Sequence, residues 1–329
     1  MPESNAANEP AGMNQAALER LAARIAPGPL GEMVRLSGGA TQQLWRFSIG
    51  DVSYVLRRHG QGAPPAAIGV SLSDEARLIE AAGAKGVPVP RIVHVLTPED
   101  DLGDGFVMVH VAGEALGARI VRSPDLATAR QRLARQCGDA LSRIHAIDTR
   151  KLTGLARQSP ADIVEQWHRA YRDGTVRRPV FEAAFRWLGA QCPEPSAAPA
   201  LVHGDFRNGN IMVDADGLAA VLDWELAHIG DPMEDLGWIC VNSWRFGRTD
   251  LPVGGFGSSD DFYAGYEAAG GHIDRANVRW WEMLGTLRWG VMTTGSLARV
   301  RDGDMSIERA MIARRTSETE IDLVAMLAA

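Results

Sequence analysis

The sequence predicts an α+β protein with a small β-rich N-terminal lobe and a larger helical C-terminal lobe, as three observations indicate. Its 329 residues correspond to about two domains of ordinary size. Strand-like runs bounded by turn residues are frequent up to about residue 110. Beyond Gly113 apolar residues recur at helical spacing over long stretches, and eight of the nine tryptophans follow residue 150. We therefore expect one lobe over residues 13–110 and the other over residues 111–329.

The overall charge disfavours a general nucleic-acid binder. There are 41 acidic and 34 basic residues, a net charge of −7, whereas nucleic-acid backbones are bound by clustered basic surfaces. No stretch approaches the roughly 20 apolar residues of a membrane span, and the N-terminal region lacks a basic start followed by an apolar block. We expect a cytoplasmic protein without nucleic-acid or membrane partners, in which residues 1–12 are disordered.

A helix and a β-hairpin open the N-terminal lobe. Apolar residues recur at helical spacing over residues 14–25, and a proline follows, which predicts a helix that ends there. Strand-like runs at residues 44–49 and 53–57 flank a Gly-Asp turn, which predicts a hairpin. Just upstream, residues 37–40 read Ser-Gly-Gly-Ala, which predicts a glycine loop.

One helix and two strands complete this lobe. The apolar spacing predicts a helix over residues 72–82 that ends at Gly83. Residues 92–96 and 106–111 are predicted strands. The N-terminal lobe is therefore expected to be mostly sheet.

The second hairpin strand and the helix each carry a charged residue on an inward face. Alternation along the strand places Val55 and Arg57 on one face and Arg58 on the other. On the helix, Glu75 lies along the apolar face. Because a buried acid needs a cation, we predict that Glu75 pairs with Arg57. Glu80 is the weaker candidate for the acid, and a solvated strand arginine is the alternative for Arg57.

The C-terminal lobe is predicted to be mostly helical. Residues 126–147 and 163–171 have helical period. Asp231 and Pro232 suit the N-cap and the first position of a further helix.

One segment of the C-terminal lobe carries the polar residues from which a site is predicted. Two short strands flank an acidic turn, which predicts a hairpin. Asn210 and Asp223 are equally far from the middle of this turn, so they are expected to lie side by side at the open end of the hairpin. Asp205 lies on the same loop as Asn210 and can face the same cavity. Oxygen ligands of this kind suit Mg²⁺ held jointly with substrate phosphates. The alternative is a surface hairpin with acidic turns, which suits Asp214 and Asp216.

Three motifs of this region, HGDFRNGN, VLDWE and GDPMEDLGW, resemble those of the aminoglycoside phosphotransferase family, the small-molecule relatives of protein kinases. The pattern H-x-D-x-x-x-x-N, with a second aspartate 18 residues after the first, resembles the catalytic loop and metal-binding aspartate of kinases. The resemblance covers about residues 36–289, and the nearest branch is also found fused to acyl-CoA dehydrogenases. It implies a bilobal protein-kinase-like fold with nucleotide bound by residues 13–110, and with the catalytic loop and acceptor pocket in residues 111–329.

The resemblance implies an O-phosphotransferase that moves the γ-phosphoryl group of ATP or GTP to a hydroxyl of a small molecule and requires Mg²⁺. Asp205 would accept the proton of the acceptor hydroxyl, and Arg207 would stabilise charge on the transferred group. Asn210 and Asp223 would bind the metal ion. His203 is expected to brace the loop by hydrogen bonding, since the position of the base is already filled.

In the N-terminal lobe the resemblance implies the nucleotide site. Arg57 would take the place of the phosphate-binding lysine of protein kinases, with Glu75 as its acidic partner. The glycine loop would cover the phosphates, and residues 108–111 would connect the lobes and contact the base through backbone groups. An edge strand of the core is the alternative for those residues. The further expected nucleotide contacts are Gly38, Gly39, Val55, Met108, Val109 and Val111.

Two more features follow from the same resemblance. Asp235 resembles the acid that tethers the catalytic loop of kinases. Trp224 and Glu225 replace the Phe-Gly of protein kinases, so a flipping activation segment is not expected.

The acceptor is predicted from charge. Residues 150–186 contain eight basic and four acidic side chains, whereas polycationic aminoglycosides need an acidic pocket. We expect an anionic or neutral hydroxylated acceptor, for example a hydroxyacyl thioester of coenzyme A as the branch resemblance suggests; a solvated basic helix face is the alternative. An aminoglycoside-type antibiotic kinase, a choline or homoserine kinase, and a regulatory pseudokinase that binds nucleotide are the other functions considered.

Overall fold

The computed structural model describes residues 14–36, 42–59, 69–301, 303 and 306–329. Two compact units are present. The first extends to Ala112 and also contains Ala219–Leu226, and the second comprises Gly113–Leu218 and Ala227–Ala329. The α+β class is confirmed, because an antiparallel sheet dominates the first unit and helices dominate the second. The disorder predicted for residues 1–12, and the loop with Gly38 and Gly39, lie outside the described residues.

The first unit contains a five-stranded antiparallel sheet and two helices. The strands follow the order β1-β2-β3-β5-β4 across the sheet. These elements are helices α1 (Gln15–Ile25) and α2 (Leu72–Ala84), and strands β1 (Val34–Leu36), β2 (Gln42–Ile49), β3 (Val52–His59), β4 (Ile92–Val95) and β5 (Gly105–Val109).

Most predicted elements of this unit are present, with differences at their ends. Asn14 caps α1 by accepting a hydrogen bond from the Ala17 backbone, as its residue type favours. Helix α2 continues past Gly83, so the predicted helix end was wrong by one or two residues. Strand β5 ends at Val109 rather than at Val111.

One face of the sheet packs against α1. Leu21 of α1 belongs to a core cluster with Trp45, Phe47, Tyr54 and Leu56 of the hairpin. The hairpin pairs over its full length, from Gln42 opposite His59 to Ile49 opposite Val52. This rigid hairpin fixes which strand residues face inward.

The second unit is mostly helical. Its helices are α3 (Gly117–Arg122), α4 (Ala127–His145), α5 (Pro160–Asp173), α6 (Pro179–Ala190), α7 (Met233–Cys240), α8 (Ser259–Ala268), α9 (Arg275–Arg301), α10 (Ile307–Ala313) and α11 (Thr316–Ala328). Its strands are β6 (Ala200–Val202), β7 (Ile211–Asp214) and β9 (His228–Gly230), while β8 (Gly217–Val221) crosses the boundary between the units. β6 pairs with β9 in antiparallel fashion.

Glycines allow α4 and α8 to approach closely. A Cβ atom at Gly138 would lie 2.1 Å from the Phe262 carbonyl oxygen, and one at Gly265 would lie 2.0 Å from the Arg135 carbonyl oxygen. Larger residues at these two positions would therefore force the helices apart.

Helix α7 begins one residue later than predicted, at Met233. Asp231 still satisfies an unpaired backbone group of the first turn, because its carboxylate accepts a hydrogen bond from the Met233 backbone at 2.9 Å. No helix in the described part of the chain has the length and apolar character needed to cross a membrane.

Candidate active site

Asp205 lies on the loop between β6 and β7, and three side chains hold its carboxylate. Its Oδ1 accepts hydrogen bonds from Arg207 Nε at 2.9 Å and from Trp238 Nε1 at 2.8 Å. Its Oδ2 accepts one from Asn210 Nδ2 at 2.6 Å. The side chain is 15% exposed. The carboxylate is therefore fixed in orientation yet reachable from solvent, as a general base must be.

Asn210 is oriented by the same loop. Its Nδ2 also donates to the main-chain oxygen of Asp205 at 2.9 Å. Both hydrogen bonds that the Asn210 side chain makes to described residues use the amide nitrogen. The amide oxygen is therefore the atom that can accept a cation. Such an oxygen ligand fits Mg²⁺.

Arg207 is anchored beside Asp205. Its guanidinium lies 4.6 Å from the centre of the Trp244 ring, and Nη1 donates to the Asn208 carbonyl at 2.9 Å. Asn208 in turn donates to the Trp244 and Gly254 carbonyls at 2.9 and 2.6 Å. The contact with the Trp244 ring and the ion pair with Asp205 together hold Arg207 in place. Its action on a phosphoryl group stays a prediction.

Asp235 tethers the start of this loop, as expected from its position in the sequence. The side chain is fully buried on α7, and it accepts hydrogen bonds from the backbone N–H groups of His203 at 2.8 Å and Gly204 at 2.9 Å. His145 Nε2 donates to it at 3.1 Å. His203 braces the loop as predicted, because its Nδ1 accepts from the Asp205 backbone at 3.2 Å.

The surroundings of Asp235 favour its charged form. Burial alone would raise its pKa, but the hydrogen bond and charge of His145 and the contacts with His203 outweigh burial, so the pKa lies below its ordinary value. A buried carboxylate with these donors stabilises the loop only while it is ionised.

Replacing Asp235 with asparagine is expected to lower the free energy of unfolding by about 3 kcal/mol, because one amide oxygen cannot accept from three donors. Since the folded-state pKa of Asp235 is depressed, this stabilisation is present above its ordinary pKa and is lost as pH falls through the folded value. The difference between wild type and variant should therefore shrink below about pH 4. Urea unfolding across this range measures it, with the exposed Asp216→Asn as control. A difference independent of pH would contradict the ionised tether.

Arg57 is buried in the first unit and surrounded by acids. The predicted ion pair with Glu75 is present, with 3.2 Å between Arg57 Nε and Glu75 Oε2. Arg57 Nη2 also donates to Asp223 Oδ1 at 2.5 Å and lies 3.7 Å from Glu225 Oε2. Since Arg57 is only 7% exposed, the alternative of a solvated strand arginine was wrong. The rival acid Glu80 is exposed.

Burial and charge oppose each other at this cluster. Burial disfavours the charged form of Arg57, yet Glu75, Asp223 and Glu225 together raise its pKa above the ordinary value. Burial raises the pKa of Glu75 to about 7, although Arg57 acts in the opposite direction. Glu75 also accepts a hydrogen bond from the Trp224 backbone at 3.2 Å. One cation thus holds three carboxylates in the first unit.

Asp223 has an unusual backbone conformation. Its φ is +63°, in the left-handed region that aspartate enters more readily than most residues. Its side chain is 32% exposed, and one of its oxygens is engaged by Arg57. The other oxygen is the one that could take a metal ion, which fits Mg²⁺ with few protein ligands.

Two of the predicted base-contacting residues, Val55 and Met108, lie in the interior of the sheet. Val55 pairs with Met108 across β3 and β5, and both side chains are buried. Val109 and Val111 are partly exposed. β5 lies between β3 and β4, so the alternative of an edge strand was wrong. Contact of these residues with a nucleotide base stays a prediction.

The family model described as APH, phosphotransferase enzyme family, matches residues 32–281. The chain belongs to this family. This confirms the predicted resemblance, and with it the prediction of a phosphotransferase at the level of the family.

Two curated relatives have sequences similar to part of this chain. The chain is 30% identical over 270 residues to acyl-CoA dehydrogenase family member 11 of Gallus gallus, a match that covers 76% of this chain and 33% of that protein. It spans only 20% of acyl-CoA dehydrogenase family member 10 of Mus musculus. The chain thus spans a third or less of the length of these curated relatives.

Two solved structures have the same fold. A protein of Ralstonia eutropha assigned to the aminoglycoside phosphotransferases superimposes with a TM-score of 0.72 at 22% identity, over 93% of this chain and 96% of that one. A spectinomycin phosphotransferase in complex with ADP and spectinomycin gives a TM-score of 0.65 at 14% identity, over 97% and 100% of the two chains. These likenesses confirm the kinase-like fold.

The APH site contains contacts that sequence reasoning missed. Trp238 bonds directly to Asp205, and Arg288 Nη1 donates to the Gly204 carbonyl at 3.3 Å. Arg288 also lies 4.5 Å from the centre of the Trp238 ring. Of these two residues only Trp238 lies in a motif, GDPMEDLGW, so only its position could have been singled out from the sequence. Trp280, by contrast, donates to the Leu188 carbonyl and is buried in the core.

The contact between Gln42 and Glu225 could not be predicted from the sequence either. Gln42 Nε2 donates to Glu225 Oε2 at 3.0 Å, within the first unit.

Asp223 belongs to the first unit and Asn210 to the second, so joint metal binding by Asp205, Asn210 and Asp223 stays a prediction.

Proposed function

We propose that this APH-family chain transfers the γ-phosphoryl group of ATP or GTP to a hydroxyl group of a small molecule. The observation that carries the proposal is the accessible carboxylate of Asp205, fixed by Trp238, Arg207 and Asn210. A hydroxyl placed against this carboxylate would lose its proton as the bond to phosphorus forms. Arg207 would offset the charge that builds on the transferred group.

The nucleotide site of the proposal lies in the first unit. Arg57, oriented by Glu75, would bind phosphate oxygens, and its burial makes the guanidinium a preorganised donor. Asn210 and Asp223 would hold Mg²⁺, which when bound neutralises phosphate charge. The base and phosphate contacts retained in the proposal are Gly38, Gly39, Val55, Met108, Val109 and Val111. A nucleoside triphosphate donor accords with the proposed cytoplasmic location.

The acceptor is proposed to be a hydroxyacyl-CoA-like or other metabolite that is not polycationic. Two guanidinium groups border the base, because Arg207 bonds to Asp205 itself and Arg288 bonds to the neighbouring Gly204. A polycation would be repelled there. The name of the Gallus gallus relative, an acyl-CoA dehydrogenase family member, agrees with an acyl thioester.

The basic stretch 150–186 gives weaker support than its sequence suggested. Arg150 pairs with Asp148 and Arg178 with Glu320, both acids outside the stretch. Five basic residues of the stretch are exposed and form no salt bridge with any described residue: Lys151, Arg157, Arg172, Arg177 and Arg186. These five carry what remains of the argument from this stretch for an anionic acceptor.

An acceptor panel tests the proposal. We expect kcat/KM for hydroxyacyl thioesters of coenzyme A to exceed that for kanamycin-like amines by at least about tenfold, because charge complementarity differs in sign. Phosphorus NMR of the product and nucleotide consumption measure it. A preference for the amines would favour the antibiotic-kinase alternative. Nucleotide binding without consumption, across the panel, would favour the pseudokinase.

A further inference from the structure

A cavity of about 430 Å³ opens in the second unit on the side of α4 that carries His145. Its walls are the end of α4, alternate residues from Glu194 to Ala200, the start of α7, and parts of the segment between Tyr266 and Asn277 that leave out Glu267. Neither Asp205 nor Arg207 is among the residues that line it. The volume is within the range of small-molecule sites, roughly 300 to 1,000 Å³. The proposed phosphotransfer makes no use of this cavity.

The charge of the wall is negative. Three carboxylates line the cavity, those of Glu194, Asp231 and Asp274, and no lysine or arginine does. None of the three forms an ion pair with another residue in the described ranges. Asp231 is only 6% exposed. Burying a carboxylate without a counter-charge is unfavourable, so the cavity favours a cation.

Asp231 is the buried member of the three, whereas Glu194 and Asp274 are exposed, and Asp231 and Asp274 have hydrogen-bond partners within the fold. Asp231 accepts from the Met233 backbone at 2.9 Å and from Trp281 Nε1 at 3.0 Å. Asp274 accepts from the backbone N–H groups of Ala276 and Asn277 at 3.0 and 3.1 Å. These neutral donors fix Asp231 and Asp274 in place and leave their charge uncompensated.

Ser142 supplies an independent indication of a ligand. It is 3% exposed, lines the cavity, and its hydroxyl makes no hydrogen bond to any residue that the structure describes. Its polar neighbours His145 and Tyr266 are bonded to each other at 2.8 Å. The hydroxyl is open to the cavity, so an occupant that bonds to Ser142 would give it a partner there.

We propose that this cavity binds a small hydroxylated amine. Its ammonium group would lie among Asp231, Asp274 and Glu194, and a hydroxyl would bond to Ser142. An anionic ligand would meet three carboxylates, and a wholly apolar one would leave the serine hydroxyl unsatisfied. The inference does not depend on phosphotransfer.

Glucosamine is a suitable probe, with N-acetylglucosamine as its uncharged counterpart. We expect calorimetry without nucleotide to detect glucosamine binding, and N-acetylglucosamine to bind at least about tenfold more weakly. The Asp205→Asn variant should bind glucosamine as the wild type does. Absence of glucosamine binding, equal binding of the two sugars, or loss of affinity in Asp205→Asn would each overturn the proposal.

Variants of the wall locate the binding. Asp274→Asn removes a charge and keeps a side chain that caps a helix equally well. Together with the exposed Glu194→Gln, it should weaken glucosamine binding about tenfold, and the exposed Ala198→Trp should block the cavity. Glu267→Gln, an exposed acid outside the cavity, is the matched control and should change nothing. Unchanged affinity in the wall variants would refute this site.

Discussion

Replacing Asp205 with asparagine is expected to lower the rate of phosphoryl transfer by about 10² to 10⁴, the usual effect of losing a general base. Asparagine has nearly the same shape and can still accept from Trp238 Nε1 and Arg207 Nε at the remaining oxygen, and it loses only the hydrogen bond from Asn210. The loop should therefore keep its position while the proton acceptor is lost. Turnover is measured with the best acceptor of the panel, and nucleotide affinity by calorimetry with Mg-ATP.

The nucleotide affinity of this variant distinguishes a base from a structural residue. Arg57, which the proposal assigns to the phosphates, lies in the other unit, so affinity for Mg-ATP should change less than about threefold. Asp216→Asn, an exposed acid of the nearby hairpin, is the matched control and should keep full activity. Turnover within about threefold of wild type in Asp205→Asn would rule out the base assignment.

Short-range regularities explain which parts of the site could be predicted. Strand alternation fixed the opposite directions of Arg57 and Arg58, and helical spacing put Glu75 among apolar neighbours. The rule that a buried acid needs a cation then joined two residues 18 positions apart. The loop tether at Asp235 was implied by the family resemblance of its motif. Local geometry and charge sufficed for the contact between Arg57 and Glu75.

Contacts between distant elements could not be predicted in this way. Trp238 reaches Asp205 because α7 packs beside the loop, and Arg288 reaches Gly204 from α9, 84 residues further along the chain. Neither separation along the sequence corresponds to a helix or strand period, so no sequence pattern predicts these contacts. Residues 219–226 join the first unit although both flanking segments belong to the second, which no change of composition marks. Packing between elements decides these features.

Fold prediction had the same limits. The class followed from strand-like runs before residue 113 and helical spacing after it, and these are averages over many residues. The ends of elements depend on single residues. Gly83, expected to end α2, is accommodated inside it, because the cost of about 1 kcal/mol for an interior glycine is small beside the packing of the helix.

Replacing Arg57 with methionine is expected to lower the free energy of unfolding by about 3 to 5 kcal/mol and to abolish detectable Mg-ATP binding. Methionine fills part of the space but leaves Glu75, which is 1% exposed, without its counter-charge. The double variant Arg57→Met/Glu75→Gln removes both charges and should regain most of the stability. It should not regain nucleotide binding, because the phosphate donor is absent. Recovery of both properties would exclude Arg57 from the nucleotide site.

The pH dependence of this loss has a definite sign. Burial raises the pKa of Glu75 from 4.5 to about 7, so the folded chain holds this proton where the unfolded chain has released it. The stability that the neutral carboxyl contributes is present below about pH 4.5 and is lost as pH rises through about 7. Without Arg57 the carboxylate has no compensation above that range, so Arg57→Met should cost more stability at about pH 8 than at about pH 5. Urea unfolding at the two pH values measures this. An equal loss at both would mean that Glu75 does not change its charge there, and the opposition between burial and charge at this cluster would have to be abandoned.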